Sequence, residues 1–494
     1  MIGATIARRG TFLRAALLFA LLVSPLTVRT EAQNTLPATE LTPGAFLRYS
    51  GGIPLDRPPY PDAWDENPLA YPYAPAESVF LPPPPPPPPV AEAGPSTTPG
   101  RMGLFAPPGN IGRTVRVLLQ EETPSLLVNT RGGADLQWRG PRGRAQRGAS
   151  LAGAVRVERK SGRFVVSLVG GASVAGGDAV ALRIAPLDPS VPLELNGKTY
   201  RGALEFHPQG SGFVCINVVP LEEYLRGVVP LEMGRHEESR LEALKAQAVA
   251  ARTYSVKRVL SRTNELFDLY ASVQDQVYGG AAAEHAMSDR AIRETAGILL
   301  LYGDSLALTY YHSTCGGKTA SRHEVWGGAP VPYLISAPDT DATGNAWCRA
   351  SRYMAWTQEW DVDALTAIVR KNLSDAGVRG APSFRSLKSV EVRSRFADGR
   401  VNLLDIQTDR GTITVRGDKT RWALRPTPGT GRILESDRFD VDMRGDRIVV
   451  KGNGFGHGVG MCQMGALGRA QAGQSFAQIL AAYYPGTDLA RLQP

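Results

Sequence analysis

The residues best placed for chemistry in this 494-residue chain surround Glu232. A single carboxylic acid stands in Pro230-Leu231-Glu232-Met233, with Val229, Leu231 and Met233 as apolar neighbours. Such surroundings favour the neutral carboxyl once the site is partly closed. A neutral carboxyl at working pH is what a general acid needs to protonate a poor leaving oxygen. A second reading stands beside this one: an acid just ahead of a helix stabilises the positive end of its dipole. Glu222, Glu223, Glu237, Glu238 and Glu242 lie close by. Glu222 and Glu223 read as part of a polar turn before Tyr224. Glu242 reads as the partner of N-cap Ser239 in a capping box.

Other polar groups follow at suggestive spacings. Lys245 and Arg252 are two helical turns apart and so share a face, where they serve either a ligand carboxylate or a structural ion pair. Asp275, Gln276 and Tyr278 combine polar groups with an aromatic surface, which suits a sugar, although a tyrosine also packs. Ser313 and Thr314 precede Gly316-Gly317 and are candidates to line a cleft; no triad order is visible for Ser313. His457 sits among Gly454, Gly456, Gly458 and Gly460, with Gln463 beyond. Glycines there let a ligand approach the backbone, or simply form a tight turn. His312, Cys315 and Cys348, with Cys462 later, offer a fragment of a structural zinc site, whereas a Cys315–Cys348 disulfide is the simpler reading. No cofactor is otherwise expected.

The elements that must position these groups are legible in part. From Leu241 to Tyr254 an alanine-rich helix puts Leu241, Leu244, Ala248, Ala251 and Ser255 on one face. Its small side chains invite close packing. Short β-rich runs (115–119, 164–169, 179–184) and an Asn196-Gly197 hairpin fill residues 111–206. Helices are expected at 281–294, 361–373 and 475–483, and strands at 298–302, 306–311, 387–393, 401–408, 412–416 and 447–451. No internal repeat is present. The fold class expected is α+β, mostly antiparallel sheet with the alanine-rich helix, preceded by a disordered proline-rich segment.

Composition bounds the rest. Hydrophobic residues at 43% and charged residues at 21% fit a soluble globular protein with a large core. Residues 1–32 have a basic start and an apolar run, Ala15 to Val23, too short to span a bilayer, and so read as a secretory signal peptide. They carry Arg8, Arg9, Arg14 and Arg29 against Glu31, which leaves the mature chain nearer +5 than the formal +8. Residues 33–110 show no hydrophobic period and include Pro82 to Pro89, a polyproline stretch of roughly 25 Å at about 3.1 Å per residue. Export to the periplasm or cell envelope is expected, with no membrane span after cleavage and no nucleic-acid partner.

Several ordered motifs carry a family resemblance. Pro230 to Met233 with the 241–254 helix resembles the signature of the stage II sporulation protein D family, the SpoIID/LytB group that includes amidase enhancers. Asp275 to Gly280, Tyr311 to Thr319, Gly454 to Ala466 and Ile479 to Thr487 agree with it. The chain departs at Gly234, where a proline commonly follows, and at Lys318, a place often taken by histidine. The resemblance implies a lytic transglycosylase that cleaves peptide-free peptidoglycan strands, with Glu232 as catalyst. With such a substrate, Lys245, Arg252, Asp275, Gln276, Tyr278, Ser313, Thr314, His457 and Gln463 are the candidate substrate contacts. The alternative is a non-catalytic module that binds glycan and recruits or stimulates a cell-wall amidase. The domain reading is a β-rich subdomain at 111–206, then a SpoIID/LytB-like domain at 207–494 with an inserted β-rich segment near 361–450.

Overall fold

The computed structural model describes residues 39–41, 113–141, 145–171, 173–375, 383–426 and 433–492. The signal-peptide reading and all but three residues of the proline-rich segment lie outside the described residues. The fold is α+β with mostly antiparallel sheet. Its largest sheet runs Leu269–Tyr270, Thr114–Thr123, Gly212–Pro220, Ala203–Gln209, Ala181–Pro186, Ser125–Arg139, Ala145–Lys160, Arg163–Leu168, Ser173–Gly177. The Leu193–Leu195 and Lys198–Tyr200 hairpin joins it at Ser125–Arg139, closed by Asn196 and Gly197 with φ of 48° and 82°. Both positive angles are what a two-residue type I′ turn requires. This sheet is continuous through residue 206, because Ala203–Gln209 pairs on both edges.

Helix α1 (Leu221–Met233) grows directly from the end of the sheet. It takes up residues expected in a turn, since Glu222 and Glu223 form its first turn. The sequence hid it behind Gly227 and Pro230, two residues that weaken a helix interior. Gly227 has a reason: an added Cβ would lie 2.5 Å from the Tyr278 ring. Gly234 stops α1 at φ 86°, its N–H bonded to Pro230 O at 3.0 Å. Glu232 therefore occupies the last turn of α1 rather than a loop at the mouth of the next helix.

Helix α2 (Leu241–Ser261) is the alanine-rich helix, and it is buried on nearly all sides, not one. A helix apolar all round belongs at the centre of a core. It packs against α1, α3 (Ala286–Glu294), α4 (Gln463–Gln471), α5 (Phe476–Tyr483) and strand Ile298–Tyr302. Ala243, Ala246, Ala248, Ala250 and Ala251 are fully buried, so each neighbour approaches its backbone closely. The expected capping box is absent: Arg240 is the N-cap without a side-chain bond, and Ser239 lies in the short Glu238–Arg240 turn of 3₁₀-helix. The Glu242 carboxylate instead accepts from Phe476 N at 2.7 Å. A capping box does occur at Ser475 and Gln478, at the start of α5.

A second hydrophobic core, Trp360 to Val450, sits apart from the first. It is built from helix Val362–Asp375 and two three-stranded sheets that contain Leu387–Arg395 and Arg447–Gly452. Among the described residues no helix is long and apolar enough to cross a membrane.

Candidate active site

Three separate stretches of chain converge on the Glu232 carboxyl. Val277 N–H donates to Oε1 at 2.9 Å, Gln463 Nε2 donates to Oε2 at 3.3 Å, and the Tyr311 hydroxyl donates as well. All three donors are neutral. The side chain keeps some solvent contact while its carboxyl is largely enclosed. Burial pushes the Glu232 pKa above the ordinary glutamate value of 4.5, and the three donors only partly offset it.

Each donor is itself held. The segment carrying Val277 is pinned by Asp275, whose carboxylate accepts from Tyr254 OH at 2.6 Å and Tyr270 N at 2.8 Å and pairs with Arg258 at 3.0 Å. Gln276 Oε1 accepts from Tyr224 OH (3.1 Å) and Ser255 Oγ (2.9 Å), and its Nε2 donates to Tyr311 OH at 3.0 Å. The Tyr311 oxygen accepts from Gln276 while its proton goes to Glu232. Burial and the nearby Glu232 charge hold that phenol well above its usual pKa, so it remains a donor. Strand Tyr311–His312 pairs in parallel with Met461–Cys462, and Gln463 follows at once as the first residue of α4. One short ladder thus sets both Tyr311 and Gln463.

Two sequence families match this chain. The one described as stage II sporulation protein matches residues 209–302, and a domain of unknown function matches 343–460. An uncharacterized protein of Brachyspira hyodysenteriae is 33% identical over 296 residues, covering 60% of this chain and 73% of its own length. The amidase enhancer of Bacillus subtilis is 30% identical over 348 residues, 63% of this chain and 47% of the enhancer. Stage II sporulation protein D of Bacillus amyloliquefaciens is 28% identical over 288 residues, 55% of this chain and 74% of the relative. Residues 209–302 of this chain thus carry a stage II sporulation protein domain. Glu232 and Gln276 fall inside the first match, whereas Tyr311 and Gln463 fall outside both.

The structure brings Glu232, Gln276 and Gln463 together and corrects several other expectations. Lys245 is ion-paired with Glu242 and Glu294, each at 2.7 Å. Arg252 is fully buried, forks onto both oxygens of Glu222 at 2.8 Å, and also donates to Ile292 O and Ile298 O. Both cations are thus held in ion pairs within the fold. Tyr278 is buried against Tyr224 and donates to Asn217 Oδ1 at 2.8 Å, so it offers no sugar platform. Asp275 is enclosed by its donors and positions Val277. Thr314 is buried and bonded to Ser351 Oγ at 2.7 Å, while half-buried Ser313 meets Thr314 Oγ1 at 3.2 Å. His457 is packed between Trp326 and His312, and its Nδ1 accepts from Val459 N at 3.0 Å. Burial, reinforced by Arg421 and Arg400, lowers its pKa to about 3, so the ring is neutral.

The expected disulfide is also corrected. Cys315 and Cys348 are free, with sulfurs 3.6 Å apart, against roughly 2.05 Å in a bonded pair. His312 bonds to Val459 O at 3.2 Å and is not part of the cysteine group. Tyr311, a hydrogen-bond partner of Glu232, was not among the residues singled out from the sequence. It was read as the end of a strand, although it opens the Tyr311 to Thr319 motif.

Proposed function

We propose that this chain cleaves peptide-free glycan strands of peptidoglycan as a lytic transglycosylase, with Glu232 as general acid and then general base. The observation that carries the reading is a partly enclosed carboxyl of raised pKa whose hydrogen-bond partners are all neutral. Glu232 gives its proton to the glycosidic oxygen as that C–O bond breaks. It then takes the proton of the sugar's own 6-hydroxyl, whose oxygen closes on C1 to give a 1,6-anhydro end. One C–O bond breaks and one forms, and no water is consumed. A single carboxyl therefore suffices, where hydrolases that activate water use two. Asp275, the other acid close to the site, is committed to Arg258 and Arg262. Gln463, Tyr311 and Val277 N–H steady the carboxylate between the two proton transfers. Export by the leader would deliver the chain to the compartment where this polymer lies.

The similarity to the Bacillus subtilis amidase enhancer supports a second reading, in which the same site grips glycan and a cell-wall amidase does the cutting. Incubation of the purified chain with peptide-free glycan strands separates the two. Anhydromuramyl ends that disappear in Glu232→Gln support the enzyme. Co-sedimentation with glycan and no new ends in either protein supports the module.

A further inference from the structure

Three cysteines and one aspartate meet in the core close to the chain segments that reach Glu232. The ligand atoms of Cys315, Asp339, Cys348 and Cys462 all lie within 4.8 Å of one another, and all four residues are buried. Cys315 Sγ stands 3.6 Å from Cys348 Sγ and 3.2 Å from Asp339 Oδ2. A tetrahedral zinc with Zn–S bonds of about 2.3 Å requires sulfurs about 3.8 Å apart, and its S–O edges are slightly shorter. The cluster has that size.

Backbone N–H groups point at two of the three sulfurs, as they do at sulfurs that ligate a metal. Cys462 Sγ accepts backbone N–H groups from Cys315 (3.2 Å) and Gly465 (3.3 Å), and Cys315 Sγ accepts one from Gly317 at 3.3 Å. Cys462 Sγ also lies 3.6 Å from Ser313 O, and Cys348 Sγ lies 3.5 Å from Met354 Sδ. The aspartate is oriented from behind: Arg469 Nη2 donates to Oδ1 at 2.9 Å, and Tyr483 OH reaches Oδ2 at 3.0 Å. Outer partners of this kind fix a ligating carboxylate and balance its charge. A Cys315–Cys348 disulfide would account for two of the four groups. It would leave the convergence of a third thiol and a buried carboxylate on the same point unexplained.

We infer that Cys315, Cys348, Cys462 and Asp339 bind one structural zinc ion that ties three distant loops together next to the donors of Glu232. The loops are 33 residues apart from Cys315 to Cys348, and 147 from Cys315 to Cys462. Closing long loops is where a metal clip contributes most. Four protein ligands leave no open position, so the role is structural. Cys462 is the N-cap of α4 and directly precedes Gln463, and Cys315 is four residues beyond Tyr311. The clip therefore holds in register the two side-chain donors that reach Glu232. This inference stands on the cluster alone and does not depend on the cleavage reaction.

The test is elemental analysis of the full chain purified without chelator, followed by replacement with cobalt(II). Zinc close to one equivalent per chain is expected, together with an intense sulfur-to-cobalt charge-transfer band. Cys348→Ser and Cys462→Ser each lose most of the bound metal. Cys215→Ser keeps it, because Cys215 lies in the large sheet outside the cluster. Should the serine variants fail to fold, the wild-type metal content and cobalt spectrum still decide. Metal-free protein with Cys315 and Cys348 joined in a non-reducing peptide map would overturn the inference, as would metal retained by the folded Cys462→Ser variant.

Discussion

Helix α1 carries two glutamates ten residues apart that meet opposite fates. Glu222, in the first turn, is clamped by the buried Arg252 guanidinium on both oxygens. Glu232, in the last turn, meets only an amide, a carboxamide and a phenol. The first is an ion pair that holds α1 to α2; the second is an acid with no countercharge. Proximity of carboxyl groups to an alanine-rich helix did not distinguish them. What distinguishes them is whether the facing side chain carries a charge.

The largest effect expected from breaking this comparison is on turnover. Glu232→Gln keeps shape and acceptor but cannot give a proton, and glycan cleavage falls by about 10²- to 10⁴-fold, read by counting anhydro ends. Glu222→Gln acts on stability instead. It leaves Arg252 charged and inside the core, and chemical denaturation should show a loss of about 3 kcal/mol. Arg252→Met costs less, because the Glu222 side chain reaches solvent.

Stability against pH sharpens the contrast. The folded pKa of Glu232 lies above its unfolded value, so its contribution is fully present below about 4.5 and is lost as pH rises through the raised value. Melting temperatures of wild type and Glu232→Gln should therefore diverge in favour of the variant as pH increases from 4 towards neutrality. Equal separation at every pH would contradict this. Tyr311→Phe removes one donor to the carboxylate, so the pH profile of cleavage should move to higher pH while substrate affinity changes little. The smallest effect belongs to Lys245→Ala. Its pairs are partly exposed, and a loss of no more than about 1 kcal/mol, with cleavage unchanged, is expected.

The sequence was informative where chemistry is concentrated in a short run. The α+β class followed from alternating strands and the alanine-rich helix. The raised pKa of Glu232, by contrast, comes from tertiary burial and not from its neighbours in sequence, since Leu231 is exposed. Helix α1 was obscured because Gly227 and Pro230 oppose helix locally, and the ring of Tyr278, which explains Gly227, arrives from fifty residues away. The spacing of Lys245 and Arg252 gave their shared face but not what that face meets. Ion pairs with Glu294 and Glu222 are tertiary facts. Tyr311 escaped for the same reason, since its role depends on Gln276 and on the ladder with Met461.

The central claim is that Glu232 holds its proton at pH values where ordinary glutamates have lost theirs. Infrared difference titration of wild type against Glu232→Gln tests it directly. The account predicts a single carboxyl band that disappears with a midpoint clearly above 4.5 and in step with the fall in cleavage. A midpoint at or below that value, or cleavage that ignores it, would contradict the account.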